Sequence, residues 1–237
     1  ILLYAFNSRR VQTWPIGGLT TDWFTKAWHN HGARDALLTS VKAGLGATAI
    51  ALVLGTMAAA AVSRYSFVGR ESVSFLVILP IALPGIVTGM ALNSTFTQVL
   101  HIDLTLFTVI VGHATFCIVV VYNNVLARLR RMSGSLTEAS ADLGATGWQT
   151  FRFVTFPALR RALFAGGRLS FGLSFDEIVV TTFTSAPGVQ TLPLWIFGNL
   201  FRPNQAPVVN VVAAVLIVLA VGPVWLSQRL AGESAQS

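Results

Sequence analysis

Apolar residues gather in long blocks along the chain, and short polar links separate these blocks. Five blocks are visible, at about 37–62, 73–93, 105–127, 162–183 and 207–227. Each block is close to the ~20 residues that an α-helix needs to cross the hydrocarbon core of a bilayer. The pattern predicts an all-α membrane protein with at least five spanning helices.

The first six residues indicate one more helix. "ILLYAF", residues 1–6, is apolar and gives way at once to the polar sequence "NSRRVQTWPIGG". We interpret 1–6 as the remnant of a first transmembrane helix that is truncated here, which brings the expected number of helices to six. A signal-peptide remnant is the alternative, but the stretch lacks a basic n-region and a small-residue cleavage site.

Composition and charge agree with a membrane protein. Of the 237 residues, 54% are hydrophobic and 11% are charged, and the mean hydropathy is +0.67, which excludes an ordinary soluble domain. The net charge is +7, from 14 arginines and two lysines. Most arginines lie in links that share one side of the membrane if the spans alternate: Arg64, Arg70, Arg128, Arg130, Arg131, Arg152, Arg160, Arg161 and Arg229. By the positive-inside rule this side is the cytoplasm, where the C-terminus also lies. Lipid, and not nucleic acid, is therefore the expected surface partner.

The polar link before the fourth block has the signals of a short helix. Ser135 and Glu138 have the spacing of a capping box, in which each side chain accepts the other residue's backbone N–H, so a helix is expected to begin near Leu136. Gly144 is suited to the left-handed conformation that ends many helices. The link therefore predicts one capped helix between these two positions.

A second short helix is expected directly after the first. Thr146 and Gln149 repeat the capping-box spacing, so this helix should begin at Gly147, and Pro157 fits the first turn of the next spanning helix. Two short helices meeting at an angle on the cytoplasmic face are typical of a rigid element presented to a partner. An ordinary amphipathic loop lying on anionic headgroups is the alternative.

The same link carries a motif. From residue 138 to residue 157 it runs "EASADLGATGWQTFRFVTFP", which closely resembles the EAA motif of ABC importer permeases, written E-A-A, three residues, G, nine residues, I-x-L-P. The spacing matches throughout, while Ser140, Val154 and Phe156 replace an alanine, an isoleucine and a leucine. The resemblance implies coupling helices, at about 135–153, that dock in a groove of a cytoplasmic ABC ATPase dimer. The residues it assigns to this coupling are Ser135, Glu138, Ala139, Ser140, Ala141, Gly144, Ala145 and Pro157.

The likeness extends over nearly the whole chain, to permeases of the spermidine/putrescine group. "ILPIALPGIVTGMAL" is similar to their third helix, and "LSFDEIVVTTFTSAPGVQTLPLWIF" to their fifth helix and the following loop. This implies the type I ABC importer permease fold in a bacterial inner membrane, with an extracytoplasmic segment at 7–36, a permease core at 37–230 and a cytoplasmic tail at 231–237. The core helices are expected at about 37–62, 73–93, 105–127, 160–183 and 207–228. The coupling helices lie between the fourth and fifth helices when the truncated first helix is counted, that is, between 105–127 and 160–183.

The resemblance also implies a function and a set of partners. The chain is expected to form half of the translocation path for a small solute, a polyamine first, with a phosphonate, ferric ion or thiamine as the alternative. The expected partners are the ATPase dimer, a second and paralogous permease, and an extracytoplasmic solute-binding protein. The chain has no Walker sequence G-x-x-x-x-G-K-[ST], so ATP and Mg²⁺ are expected on the partner ATPase, and no cofactor or metal in this chain.

Pro84, Asp176, Glu177 and Trp195 are candidates for the substrate path. Carboxylates at membrane depth cost roughly 2.5 to 3.5 kcal/mol each, so the two acidic residues should face protein or water, where a cationic solute would meet them. Pairing with Arg168 or with a second permease is the alternative. Pro84 interrupts the block at 73–93 as either a gate or a packing kink. Trp195 is expected either to stack on a cation or to lie in an interfacial belt.

The remaining polar residues in the apolar blocks favour a structural role. His113 and Asn93 are expected to make interhelical hydrogen bonds, and Cys117 to be a buried small side chain. An intramembrane enzyme is the alternative class of function. It would need a nucleophile with a base, or metal ligands, and the chain has no His-x-x-x-His or Gly-x-Ser-x-Gly pattern. A non-catalytic subunit is therefore expected.

Overall fold

The computed structural model describes the chain from residue 1 to residue 233, with side chains up to Leu219. This part of the chain forms helices and no sheet strand, with one isolated antiparallel bridge between Asn7 and Leu19. The α-helices are α1 (Asp22–Trp28), α2 (His31–Arg64), α3 (Arg70–Ala82), α4 (Gly85–Ser94), α5 (Leu106–Arg130), α6 (Ser135–Asp142), α7 (Gly147–Thr150), α8 (Phe156–Phe175), α9 (Val179–Thr184), α10 (Leu192–Asn199) and α11 (Ala206–Glu233). A 3-10 turn covers Tyr4–Phe6, and π-helical turns cover Thr95–Val99 and Phe151–Thr155.

Two helices are long and apolar enough to cross a membrane among the described residues. They are α2, with 34 residues, and α5, with 25. A third span results if α3 and the helix that starts at Gly85 count as one, although the two are bent by 106° at their junction. The expected span at 160–183 falls on α8, which carries three arginines, and on α9, which follows a break. Of the expected tail at 231–237, the part from residue 234 onward lies outside the described residues.

The chain forms two compact units. One unit combines Ile1–Leu37 with the described residues from Leu192 onward, and the other is Leu38–Thr191. In the first unit, the expected helix remnant at 1–6 is a single 3-10 turn. Asn7 anchors the loop after it, because its side-chain oxygen accepts the backbone N–H groups of Arg9 and Gly17 at 3.2 Å, while its backbone oxygen accepts the Trp23 indole N–H at 2.8 Å.

The second unit is built on a close approach of α2 to α5. Small residues recur at every fourth position of α2 and are all buried: Ala43, Ala47, Ala51, Gly55 and Ala59. Residues four apart share one face of a helix, and small side chains let two membrane helices approach closely. A Cβ added at Gly55 would lie 2.9 Å from the backbone oxygen of Ile118. The contact between α2 and α5 therefore depends on backbone surfaces and not on interlocking large side chains.

Helix α8 packs on the same side of α5 through paired polar contacts. The Ser170 hydroxyl donates to the Cys117 carbonyl at 3.3 Å, and the Cys117 thiol donates to the Ser170 carbonyl at 3.4 Å. Cys117 is thus a buried free thiol, as expected. On α3, the Ser74 hydroxyl lies 2.8 Å from the Tyr122 hydroxyl of α5. Helix α5 is therefore the central element of this unit, in contact with α2, α3 and α8.

Candidate functional site

The motif segment folds as a sharp elbow, which we define as residues 135–150. Helix α6 ends at Asp142, and Gly144 takes the left-handed conformation with φ of 77°. The Gly144 N–H donates to the Ala141 carbonyl at 2.8 Å, and the Ala145 N–H donates to the Ser140 carbonyl at 3.1 Å. This pair of bonds is a Schellman motif. The prediction that Gly144 ends the first short helix is confirmed.

The predicted capping box at the start of α6 is wrong. The helix begins at Ser135, with Gly134 as its N-cap, and no side chain caps it. Because the helix starts one residue earlier than expected, Ser135 lies inside the first turn, where its hydroxyl cannot accept the Glu138 N–H. The Ser133 hydroxyl instead accepts the Ser135 N–H at 3.3 Å. Glu138 is exposed in the first turn, where its charge is favourable next to the helix N-terminus.

The second predicted capping box is present. The Thr146 hydroxyl accepts the Gln149 N–H at 3.3 Å, and the Gln149 side-chain oxygen accepts the Thr146 N–H at 2.7 Å. However, α7 is not a free-standing helix. It passes through the π-helical turn at Phe151–Thr155 directly into α8, so one helical run extends from Gly147 to Phe175. At ~1.5 Å per residue this run is roughly 40 Å long.

One side-chain hydrogen bond joins the two arms of the elbow, and a second joins the π-helical turn after it to α2. The hydroxyls of Ser140 on α6 and Thr150 on α7 lie 2.9 Å apart and are buried. At the other side of the π-helical turn, the Arg64 guanidinium donates to the Thr155 hydroxyl at 3.0 Å. The two arms of the elbow are thus held together by one polar contact, and the end of α2 is bonded to the π-helical turn that follows the elbow.

The elbow exposes two large apolar side chains. Leu143 is 88% exposed and Trp148 67% exposed. Of the motif residues, Ser140 is buried and Ala145 is half-buried, and the others lie at the surface: Ser135, Glu138, Ala139, Ala141, Gly144 and Pro157. An exposed leucine and tryptophan flanked by alanines form a surface that another protein can cover.

Two helix breaks lie side by side within the second unit, and we call them the paired breaks. One separates α3 from α4 at Leu83–Pro84, and the other separates α8 from α9 at 176–178. A Cβ added at Gly85 would lie 3.5 Å from Val179 Cγ1, so the two following helices start next to each other. Discontinuous helices that meet in this way form the solute sites of many transporters.

Close packing continues along α4 and α9 beyond the paired breaks. A Cβ added at Gly89 would lie 2.7 Å from the ring of Phe183, and the Asn93 amide donates to the Phe183 carbonyl at 2.6 Å. From α5, the Thr108 hydroxyl donates to the Thr184 carbonyl at 2.7 Å. The prediction that Asn93 makes an interhelical hydrogen bond is confirmed. Helix α9 is short, but its neighbours fix it on two sides.

His113 on α5 connects the two helices that flank the second break. Its Nδ1 lies 2.7 Å from the hydroxyl of Ser174 on α8, and its Nε2 lies 2.8 Å from the hydroxyl of Thr181 on α9. All three side chains are buried. The expected interhelical bonding of His113 is confirmed, but the sequence did not identify Ser174 and Thr181. The only feature of the sequence that could have indicated Ser174 and Thr181 is the presence of hydroxyl residues on both sides of the Asp-Glu pair.

The structure gives Asp176 and Glu177 different environments. One Glu177 carboxylate oxygen accepts the Val180 N–H at 2.8 Å and so caps the start of α9. Asp176 is exposed, and within the described residues its side chain has no hydrogen bond or ion pair. The Arg168 guanidinium instead lies over the Phe164 ring, 5.8 Å from its centroid. The expected alternative of pairing with Arg168 is therefore not seen, and Asp176 is the carboxylate left free for another partner.

The other two candidates for the path lie in different settings. Pro84 is exposed at the first break, as the N-cap of α4. Trp195 belongs to the first unit, where it is 5% exposed and its indole nitrogen would lie 3.0 Å from a Cβ added at Gly32. Its ring faces are covered in this conformation and are not open to a cation. Within the described residues, no three His, Cys, Asp or Glu side chains converge as a metal site.

Long apolar helices, paired breaks beside a free carboxylate and an exposed capped elbow define a helical subunit of a membrane transporter. Comparisons with known proteins agree. The family of binding-protein-dependent transport system inner membrane components matches residues 51–231, and the chain belongs to this family. As a member of it, the chain is an inner-membrane permease of the ABC importer type.

Individual relatives extend this result. The chain is 33% identical over 229 residues to the putrescine transport system permease PotI of Escherichia coli K12, covering 94% of this chain and 80% of the relative. It is 32% identical over 227 residues to the spermidine/putrescine transport system permease PotC of Haemophilus influenzae, covering 95% and 87%. A solved bacterial ABC transporter for the import of alginate superposes with a TM-score of 0.72 at 15% identity, covering 95% and 86%. The last likeness shows the type I permease fold expected from the sequence.

Proposed function

We propose that this permease carries polyamines into the cytoplasm, as half of a translocation path whose other half is a second, paralogous permease. The two relatives above are described as permeases for putrescine and for spermidine/putrescine. A polyamine is a linear cation, and the free carboxylate of Asp176 at the paired breaks is the kind of group that would bind an ammonium. We place the partner ATPase dimer, with ATP and Mg²⁺, at the elbow on the cytoplasmic face. A separate solute-binding protein would deliver the polyamine from the opposite side.

The observation that carries the coupling of this permease to an ATPase is the continuous helical run from Gly147 to Phe175. At one end, the run includes α7 and is bonded to α6 through Ser140 and Thr150. At the other end it stops directly before Asp176. A push or pull on the elbow by an ATPase would therefore reach the second break without crossing a flexible joint. ATP acts on the partner, and the permease alternates between states as the elbow moves.

This mechanism assigns roles to the motif residues. Gly144 and Ala145 make the sharp turn. The side chains of Ala139 and Ala141 on the exposed face of α6 are small, so the backbone of this helix can approach a groove on the partner. Leu143 and Trp148 would fill apolar pockets in that groove, because exposed apolar side chains at a docking surface gain most from burial. Ser135 and Glu138 remain at the start of α6, and Pro157 fixes the first turn of α8.

The test is transport by the assembled complex. The chain is purified with the subunits that co-purify with it, placed in liposomes, and supplied with ATP inside and the cognate binding protein outside. We expect ATP-dependent accumulation of labelled spermidine or putrescine, and none without ATP or without the binding protein. A phosphonate, ferric ion and thiamine are the comparison solutes. Uptake of one of these and not of a polyamine would overturn the cargo, and failure to recruit any ATPase would overturn the transport role.

A further inference from the structure

The His113 imidazole stands between the two segments that border the second break, and this placement has a consequence for Asp176. Ser174 is on the last turn of α8, and Thr181 is on the first turn of α9. Both hydroxyls contact the same imidazole, at 2.7 and 2.8 Å. The short backbone segment between α8 and α9, which carries Asp176, is thus held at both ends from one side chain of α5.

The hydrogen bonds also define which nitrogen carries the proton in a neutral His113. The Thr181 hydroxyl donates its single hydrogen to the Glu177 carbonyl at 2.9 Å. With that donation, the Thr181 hydroxyl accepts a hydrogen from Nε2 of a neutral His113, and Nδ1 accepts the Ser174 hydroxyl. The result is a directed chain from Ser174 through His113 and Thr181 to the backbone of Glu177. This chain ends at the residue next to Asp176.

No other side chain in the described part of the chain makes a bond to both flanks of this break. Residues 173–179 have the sequence "LSFDEIV". This segment contains no glycine or proline that would break the helix locally. Glu177 caps α9 but belongs to the segment itself, so it cannot fix the segment relative to α5. Within the described residues, His113 is therefore the side chain of another helix that bonds directly to both borders of the segment that carries Asp176.

We propose that His113 is a positioning residue for transport: it holds the second break so that the Asp176 carboxylate is presented at the paired breaks to a cationic solute. This rests on the function proposed above. A solely structural histidine would support the stability of the unit without affecting the location of Asp176, and the experiment separates these two roles.

The first arm measures the location of residue 176 and does not depend on the cargo. Cys117→Ser removes the only cysteine of this chain, and Asp176→Cys then gives this chain a single thiol, whose modification is followed on this subunit of the assembled complex in proteoliposomes. The rate of modification by a water-soluble cationic thiol reagent is then measured with His113 intact and with His113→Ala. We expect the rate to change by about fivefold or more, because breaking a buried hydrogen bond shifts a local equilibrium by about that factor. An unchanged rate in folded His113→Ala complex would overturn the proposal.

Matched variants distinguish a local change at residue 176 from a general loss of folding. Ser74→Ala removes one hydrogen bond between α3 and α5, the 2.8 Å contact with Tyr122, and should leave the rate at residue 176 within about twofold. If His113→Ala does not assemble, Ser174→Ala and Thr181→Val each remove one of the two bonds and decide the matter. Each is expected to change the rate, and no change in both would overturn the proposal. His113→Gln, which can keep one bond, is expected to restore part of the original rate.

The second arm connects the location of Asp176 to transport. Uptake is measured for His113→Ala, Asp176→Asn and the double variant. Residues that act as a unit give non-additive losses, so His113→Ala should lower uptake severalfold in the original chain and not further in the Asp176→Asn background. Full additivity would overturn the proposal. If no polyamine is carried at all, the proposed cargo fails, while the thiol-modification arm still tests the positioning role.

Discussion

The hydroxyls of Ser140 and Thr150 lie 2.9 Å apart and join α6 to the helical run that continues into α8. Both side chains are buried. Ser140 stands at a position where the EAA motif has alanine. Alanine has no hydroxyl, so the hydrogen bond between Ser140 and Thr150 is an addition to the usual motif. Removing one partner leaves the other hydroxyl buried without a hydrogen bond, which is more costly than removing both.

Ser140→Ala is therefore expected to lower the free energy of unfolding by about 1 kcal/mol, although it restores the usual motif residue. Ser140→Ala with Thr150→Val should recover most of this loss, since neither hydroxyl remains. Thermal unfolding of the detergent-purified protein measures both variants. If the double variant is less stable than the single one, the buried bond is not the source of the effect.

A change at Gly144 tests the turn of the elbow. Its φ of 77° is unfavourable for a residue with a Cβ, while no other atom lies within 4 Å of an added Cβ. Gly144→Ala should therefore destabilise the turn through backbone strain alone, by about 1 kcal/mol. The expected result is weaker stimulation of the partner ATPase by the loaded binding protein, with assembly retained.

Gly144→Asn is the matched control, because asparagine enters the left-handed conformation more easily than alanine. It should retain more of the ATPase stimulation than Gly144→Ala does. Equal loss in the two variants would show that the side chain, and not the backbone conformation, disturbs the contact with the ATPase.

Glycines in two helices test the close approach of α2 to α5. Gly55→Ala would place its Cβ 2.9 Å from the Ile118 carbonyl oxygen and 3.0 Å from Val121 Cβ. Backbone atoms at this distance cannot move without shifting the helix, so the variant should lose about 1–3 kcal/mol of stability. Gly172→Ala in α8, where an added Cβ meets nothing within 4 Å, should be neutral or slightly stabilising. Thermal unfolding compares the two, and equal effects would contradict the close approach.

Local signals in the sequence were sufficient for several elements. The apolar blocks located α2 and α5, and the capping residues Thr146 and Gln149 placed the start of α7. Such signals act between residues close in the chain, so their physical basis is present in the sequence itself. At the first cap, however, the spacing of Ser135 and Glu138 predicts a capping box that does not form, because α6 begins at Ser135 with Gly134 as its N-cap.

The continuity of α7 with α8 was not foreseen, because Pro157 suggests a new helix. In the structure, the π-helical turn before Pro157 lets the helix continue through this position. In this turn the Phe156 N–H donates to the Phe151 carbonyl, five residues earlier. The hydrogen-bond pattern shifts by one residue just before the proline, which has no N–H to donate. The apolar pattern also does not predict the break at 176–178, which has no glycine or proline and is bordered by the Glu177 cap on α9 and by the contacts of His113 from another helix.

The two acidic residues at the second break should respond differently to removal of their charge. Glu177→Gln weakens the cap on Val180 and should lower stability by about 1 kcal/mol, with a smaller effect on uptake. Asp176→Asn removes a carboxylate that has no partner among the described residues, so stability should hardly change. If the Asp176 carboxylate binds the cationic solute, uptake of polyamine should fall by tenfold or more, because charge-assisted hydrogen bonds contribute about 1.5–3 kcal/mol. Uptake and thermal unfolding, measured for both variants, show which carboxylate contacts the solute. If Glu177→Gln abolishes uptake and Asp176→Asn is neutral, the substrate contact belongs to Glu177.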